Sequence, residues 1–261
     1  MRRRPQFLLR SVAFVALLCA GCGGGGVPIL MYHSVGPGTD PLGVSQAELD
    51  SHLGYLAGAG YQTVTLHDVI EDQEGRGHLP VNPVVLTFDD GTLDAYATAL
   101  PLLQKRGQRA TFFIVAGFVA PDAQHRRVEV SRYGLRSFMI WPELKGMRDA
   151  GMEIGSHSVH HPRLTALPRA EMHDEVFLSK QILEQGLGQP VEFFAYPYTA
   201  LAKTTRDTVA AAGYRGAVSG LRGSLDPRDL QRLVVHRGLS AQDLRALLSS
   251  DWAASYSTGD R

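Results

Sequence analysis

The segment Val84-Val85-Leu86-Thr87-Phe88-Asp89-Asp90-Gly91 joins a short apolar run to two adjacent carboxylates and a glycine. Three of its first five residues are β-branched and the run is too short for a buried helix, so it reads as a buried strand. Gly91 lets the chain turn at once, and the two carboxylates leave the strand end in divergent directions. One can coordinate a cation while the other faces a reacting group. The competing reading is a helix N-cap, since Asp is favoured just before a helical segment such as Thr92 to Gln104.

Working outward, the same unit recurs. Further strands read at Ile29 to Tyr32, Gln62 to Thr65, Ala110 to Val115, Met152 to Gly155, Val191 to Ala195 and Arg215 to Val218, with segments of helical period between them. Two helices, Trp141 to Ala150 and Thr204 to Ala212, run up to Gly151 and Gly213, where a left-handed cap is expected. Alternating strands and helices over about 225 residues predict an α/β fold, a distorted (β/α)7-type barrel whose site gathers at the C-terminal strand ends. Tyr32-His33, Asp89-Asp90, His157 and Tyr196-Pro197-Tyr198 all fall at such ends. Ala120 to Ser137, rich in Arg and without apolar periodicity, reads as a long loop, and loops of that length are often functional.

The 261 residues are 44% hydrophobic, enough for a full core, and one large domain over residues 27–250 is the simplest organisation. The 26 basic and 26 acidic residues cancel. No net field therefore favours nucleic acid or an anionic surface as partner, and a neutral substrate fits. At the N-terminus, Arg2-Arg3-Arg4 and Arg10 precede the apolar run Ser11 to Ala20, a secretory signal pattern too short for a membrane span. Ala20-Gly21-Cys22 resembles a bacterial lipobox, with Cys19 where Leu is usual. Residues 1–22 are therefore expected to be a signal peptide, Cys22 a lipidated residue, residues 23–26 a flexible tether and residues 251–261 a tail. That places the protein in the cell envelope on a lipid anchor, with plain secretion as the alternative. The two cysteines could instead pair as a disulfide, but both lie in or beside the segment to be removed.

His157 and His161 in His157-Ser158-Val159-His160-His161-Pro162 stand four residues apart, a spacing that lets two imidazoles hold one ion, although they could equally form a surface cluster with His160. One Asp and two His with positions left open for water would make a hydrolytic metal site. Together these motifs resemble the polysaccharide deacetylases of the NodB-homology type, carbohydrate esterase family 4. Thr87 to Gly91 is similar to that family's first motif, His157 to Pro162 to its second, and Phe194-Ala195-Tyr196-Pro197-Tyr198 to its third in the version found in biofilm and envelope deacetylases. Similarity extends through Val27 to Val35, Ala110 to Phe113 and Ala212 to Tyr214, so it spans about Val27 to Leu248.

The resemblance implies that Asp90, His157 and His161 bind a divalent metal, usually zinc, that Asp89 is the general base, and that the backbone N–H of Tyr198 faces the oxyanion. Tyr196 and His33 are candidate substrate contacts. It also implies removal of acetyl groups from an N-acetylglucosamine-containing envelope or biofilm polysaccharide. An O-acetyl sugar esterase and a glycan-binding barrel without turnover are the alternatives. Several positions depart from the pattern. The family's third motif usually begins with an Arg that pairs with the catalytic Asp, and here that place is Ala195; Arg232, just before Leu233-Val234-Val235, is the candidate support for Asp89. His236 is the candidate general acid, with His33 competing. Thr199 replaces a usual Gly. The family's Asp-x-x-Asp-Trp groove motif is not visible, and Asp251-Trp252 comes too late, which leaves the Ala120 to Ser137 loop to shape the groove.

Overall fold

A computed structural model describes residues 26–38, 40–130, 134–220 and 226–249. The leader with Cys22 and the 251–261 tail lie outside the described residues, as does most of the glycine tether. The strands are β1 (Ile29–Tyr32), β2 (Gln62–Val64), β3 (Pro83–Phe88), β4 (Thr111–Ile114), β5 (Arg127–Val130), β6 (Gly134–Ser137), β7 (Glu153–Ser156), β8 (Phe193–Ala195), β9 (Gly216–Val218) and β10 (Leu233–Val234). The helices are α1 (Gln46–Gly58), α2 (Leu66–Gln73), α3 (Leu100–Lys105), α4 (Trp141–Asp149), α5 (Arg169–Leu187), α6 (Lys203–Ala211) and α7 (Ala241–Ser249). The chain stops α4 and α6 as expected: Gly151 and Gly213 follow at φ +81° and +79°.

The main sheet is parallel in every pairing and runs β10-β1-β3-β4-β7-β8-β9. Its two ends are joined by one stretch of chain. Residues 227–232 run beside β9, with Leu230 N–H donating to Ala217 O (2.9 Å), Ser219 N–H to Leu230 O (2.9 Å) and Arg232 N–H to Gly220 O (3.0 Å). The same stretch then enters β10, which pairs with β1 through Leu30 and Leu233. The result is a distorted seven-stranded α/β barrel. Its membership differs from the expected set in one strand: β2 pairs only with the first half of β3, at Pro83 to Val85, and β10 takes its place in the ring.

Side chains alternate across each strand, and the alternation sorts the core into two layers. Leu30, Tyr32, Leu86, Phe88, Phe112 and Phe194 pack with the helices. Ile29, Val85, Phe113, Phe193, Ala195 and Val218 pack inside the barrel, where Leu66, Val69 and Ile70 of α2 join them. By the same parity Thr87 and Asp89 follow Val85 on the inner face, and Met31 and His33 follow Ile29. The strands thus carry polar side chains inward at their C-terminal ends.

Two expectations need correction. Ala120 to Ser137 is not an irregular loop: β5 and β6 pair antiparallel within it, Val128 opposite Arg136. Beyond the hairpin, Thr92 bridges Phe138 and Met139 N–H donates to Gly91 O (3.2 Å), which brings this excursion beside the Asp89-Asp90-Gly91 turn. The helix expected from Thr92 to Gln104 is also interrupted. A π-turn occupies Ala95–Ala99 before α3, consistent with Pro101 lacking the N–H of a regular ladder.

Candidate active site

Asp89 is 3% exposed and Arg232 is fully buried, and the two form a bidentate pair: Nη1 to Oδ1 at 2.7 Å and Nη2 to Oδ2 at 2.8 Å. The guanidinium is held from behind. Its Nε donates to Ser219 O (2.9 Å), Nη1 also reaches Thr87 Oγ1 (3.2 Å), and the Phe113 ring lies 5.7 Å from its centre. The helix-cap reading of Asp89 therefore does not apply; its carboxylate belongs to the barrel interior. Burial would raise the Asp89 pKa, but the facing charge of Arg232, with His157 beside it, holds the carboxyl well below the usual carboxylate range. Nothing in the sequence marks Ser219, whereas Thr87 shares its strand face with Asp89.

Asp90 turns away from this pair in a left-handed conformation (φ +76°) and meets the two histidines. Its Oδ1 lies 3.7 Å from His157 Nε2 and 3.6 Å from His161 Nε2, and the two ring nitrogens are 3.2 Å apart. Asp89 Oδ2 is 3.9 Å from His157 Nε2, next to the triad. His157 Nδ1 lies 2.8 Å from the Ala195 carbonyl, which can only accept, so Nδ1 carries the proton and Nε2 presents its lone pair. Burial, with His157 alongside, pushes the His161 pKa down to about 4, so this ring is uncharged at neutral pH. Two imidazole nitrogens and a carboxylate thus face one another. That donor set suits a divalent cation, and the spacings approach the edge of about 3.3 Å expected for a tetrahedron with ligand distances of about 2.0–2.1 Å. Among the described residues these three form the one such group of metal-ligating side chains.

The backbone around this group is unusually strained. Asp90, Ser158, His161, Tyr198 and Thr199 all take positive φ, and among the described non-glycine residues only Asn82 does so elsewhere. Such conformations cost roughly 1–3 kcal/mol each and persist where surrounding structure over-determines them. Thr199, at φ +52°, adopts a shape that the glycine usual at that place would take freely.

The remaining candidates separate. His33 lines the cleft with Asp89, Asp90, His157 and His161, and its buried Nδ1 has no hydrogen-bond partner. Tyr198 lines it too, its ring 4.6 Å from that of His161 and 5.1 Å from the Arg163 guanidinium. Tyr196 also borders the cleft, but it is fully buried and its hydroxyl donates to Arg228 O (2.9 Å), which ties β8 to the closing stretch. His236 is exposed, bonded to the Arg237 carbonyl, and not in the cleft. The expectation that it sits there as an acid fails: Val235 N–H still donates to Met31 O (2.9 Å), but the chain turns at His236, whose carbonyl accepts from Leu239 N–H (3.2 Å), and the imidazole is left on the surface.

On the other side of Asp90 and His161 a second recess continues past Ser34, Thr92, Phe118 and Arg136 into a wider groove under the β5–β6 hairpin. Arg136 Nη2 bonds Asp40 Oδ2 (2.9 Å), and Ser34 donates to the same oxygen (3.1 Å), so the hairpin is joined to the chain that follows His33.

The family model described as polysaccharide deacetylase matches residues 76–217, which contain Asp89, Asp90, His157 and His161. The chain belongs to the polysaccharide deacetylase family. This deacetylase is 28% identical over 233 residues to YxkH of Bacillus subtilis, across 86% of this chain and 76% of that one. It is 24% identical over 181 residues to a poly-β-1,6-N-acetyl-D-glucosamine N-deacetylase of Staphylococcus aureus, covering 66% of this chain and 59% of the relative, so it spans about three fifths of that protein. Among solved structures, IcaB from Ammonifex degensii superposes with a TM-score of 0.73 at 28% identity, over 87% of this deacetylase and 98% of IcaB.

Proposed function

We propose that this deacetylase hydrolyses the acetamide of N-acetylglucosamine residues in an envelope or biofilm polysaccharide, with a divalent cation, zinc by preference, held by Asp90, His157 and His161. The observation that carries the reading is the Asp89 carboxylate, locked by Arg232 next to a triad of possible metal ligands. A cation bound there supplies Lewis-acid polarisation of the acetyl carbonyl and makes a neighbouring water more acidic. Asp89 accepts the proton of the attacking water. Each of its oxygens spends one lone pair on Arg232 and keeps another for that task. The backbone N–H of Tyr198 is the candidate oxyanion donor, and Tyr198 and Arg163 border the cleft where the sugar ring would lie. His33, inside the cleft where His236 is not, protonates the departing amine.

A polymer rather than a single sugar is favoured by the groove under the hairpin, which extends the site past Asp90 and His161. The S. aureus relative, named for poly-β-1,6-N-acetyl-D-glucosamine, supports the N-acetyl class. Lipidation at Cys22 would tether the enzyme at the envelope, where such polymers occur. The test is to load the purified protein with zinc and measure acetate released from N-acetylglucosamine oligomers, peptidoglycan fragments and acetylated xylan. Release from the N-acetylated sugars supports the proposal. Release from xylan alone would replace it with O-acetyl esterase activity.

A further inference from the structure

The two histidines of the triad are joined by three residues, and the backbone of that connection is held from two sides. Ala116 N–H donates to Ser158 O (3.0 Å) and Gly117 N–H to Val159 O (2.8 Å). A Cβ at position 117 would lie 2.7 Å from Val159 O, so this side admits the loop only because residue 117 is glycine. From the other side comes a single carboxylate. Glu175 Oε2 accepts from Val159 N–H and from His160 N–H, both at 2.9 Å, and Oε1 lies 2.7 Å from His160 Nδ1. Two successive amides converging on one oxygen form a small anion nest.

We propose that Glu175 is a positioning residue that fixes the spacing of His157 and His161 and so sets cation affinity without touching the cation, an inference that rests on the metal-site reading above. The loop it grips needs such support. Ser158 and His161 take φ +66° and +59°, shapes that relax unless their surroundings impose them. Glu175 imposes them from α5, a 19-residue helix packed on the barrel through Met172, Val176, Ser179 and Leu183, which gives the carboxylate a fixed base. Its side chain is 13% exposed, whereas that of His160 is 70% exposed. The contact with the exposed His160 ring is therefore weak, and the two charge-assisted bonds from backbone N–H are the strong ones. Without them the left-handed turn opens and the 3.2 Å spacing between ring nitrogens is no longer imposed. Outer partners of metal ligands typically alter affinity by about 10–100-fold.

The experiment compares wild type, Glu175→Ala, Glu175→Gln and, as a control on the exposed face of the same helix, Glu171→Ala. Zinc dissociation constants are measured by competition with a chromophoric chelator, and the visible spectrum of the cobalt-substituted protein reports ligand geometry. The expected result is zinc binding weakened roughly 10–100-fold in Glu175→Ala with an altered cobalt spectrum, an intermediate loss in Glu175→Gln, and no change in Glu171→Ala. Wild-type affinity and spectrum in Glu175→Ala overturn the inference, and so does an equal loss in Glu171→Ala. If Glu175→Ala does not fold, Glu175→Gln decides on the same two readouts, an unchanged affinity and spectrum overturning the inference. Wild-type protein that binds no zinc would overturn the metal-site reading together with this one, whereas wild-type binding matched by Glu175→Ala overturns this one alone.

Discussion

Replacing Arg232 by Met should destabilise the protein more than any substitution at the surface, and in a pH-dependent way. The guanidinium is fully buried and neutralises a carboxylate that is 3% exposed, so its removal leaves Asp89 charged in a low-dielectric interior. Breaking a buried pair from one side costs about 3–5 kcal/mol. At about 2–4 °C per kcal/mol for a domain of this size, the melting temperature falls by roughly 6–20 °C. The sign with pH follows from the carboxyl itself. In the wild type its pKa is lowered, so its contribution is full above the unfolded carboxylate range and fades only as acid approaches the lowered folded value. In the variant, burial acts without Arg232 and raises the pKa, so the penalty is largest at neutral pH and shrinks as acid protonates Asp89. Asp89→Asn combined with Arg232→Met removes the stranded charge and should be less destabilised than the sum of the two singles by about 1–3 kcal/mol. Denaturant unfolding followed by circular dichroism at pH 8, 7, 6 and 5 measures all three. Additivity of the singles within about 0.5 kcal/mol, with a penalty flat across pH, would refute the argument.

Other outcomes follow from the same geometry. His33→Gln should lower kcat by about 10²–10⁴-fold while leaving zinc content unchanged, which metal analysis beside steady-state kinetics would show; unchanged kcat would remove His33 from the proton path. Arg136→Ala should raise KM several-fold for longer acetylated oligomers yet leave the shortest accepted substrate unaffected, a split read from a series of chain lengths. His52 is buried, with Nε2 2.7 Å from Leu239 O and Nδ1 3.3 Å from the Tyr32 hydroxyl, and burial lowers its pKa. Its neutral form is the one that folds, so stability should fall as pH drops below the ordinary histidine range; His52→Gln should flatten that slope in thermal melts between pH 7 and 5.

Much of the fold could be read from period and punctuation. The run Val84 to Phe88 is strand β3, with Asp89 on the inner face two places beyond Thr87, because alternation carries a pattern past the end of a strand while the chain stays extended. His33 follows from Ile29 and Met31 by the same rule. The rule fails for His236, since pairing with β1 stops at Val235 and the chain turns at once, Leu239 N–H donating back to His236 O. Arg232 came into view through Ala195, where the family's usual arginine is missing, but its burial and its grip on Ser219 depend on closure of the barrel, a contact 13 residues apart that no local pattern announces. The hairpin is hidden in the sequence for a different reason. Arg127-Val128-Glu129-Val130 does alternate, yet its faces are exposed or only half-buried, so the alternation carries little apolar contrast. Glu175 gave no signal at all, because its role is set by where α5 lies against the His157 to His161 loop.

The central claim is that Asp89 is the base beside a cation held by Asp90, His157 and His161. It is tested most directly by acetate release from an N-acetylglucosamine pentamer with wild-type protein and Asp89→Asn, each with zinc content measured in the same sample. The account predicts full zinc occupancy in both and a loss of about 10²–10⁴-fold in rate for the variant. Zinc-loaded Asp89→Asn releasing acetate at the wild-type rate would contradict it.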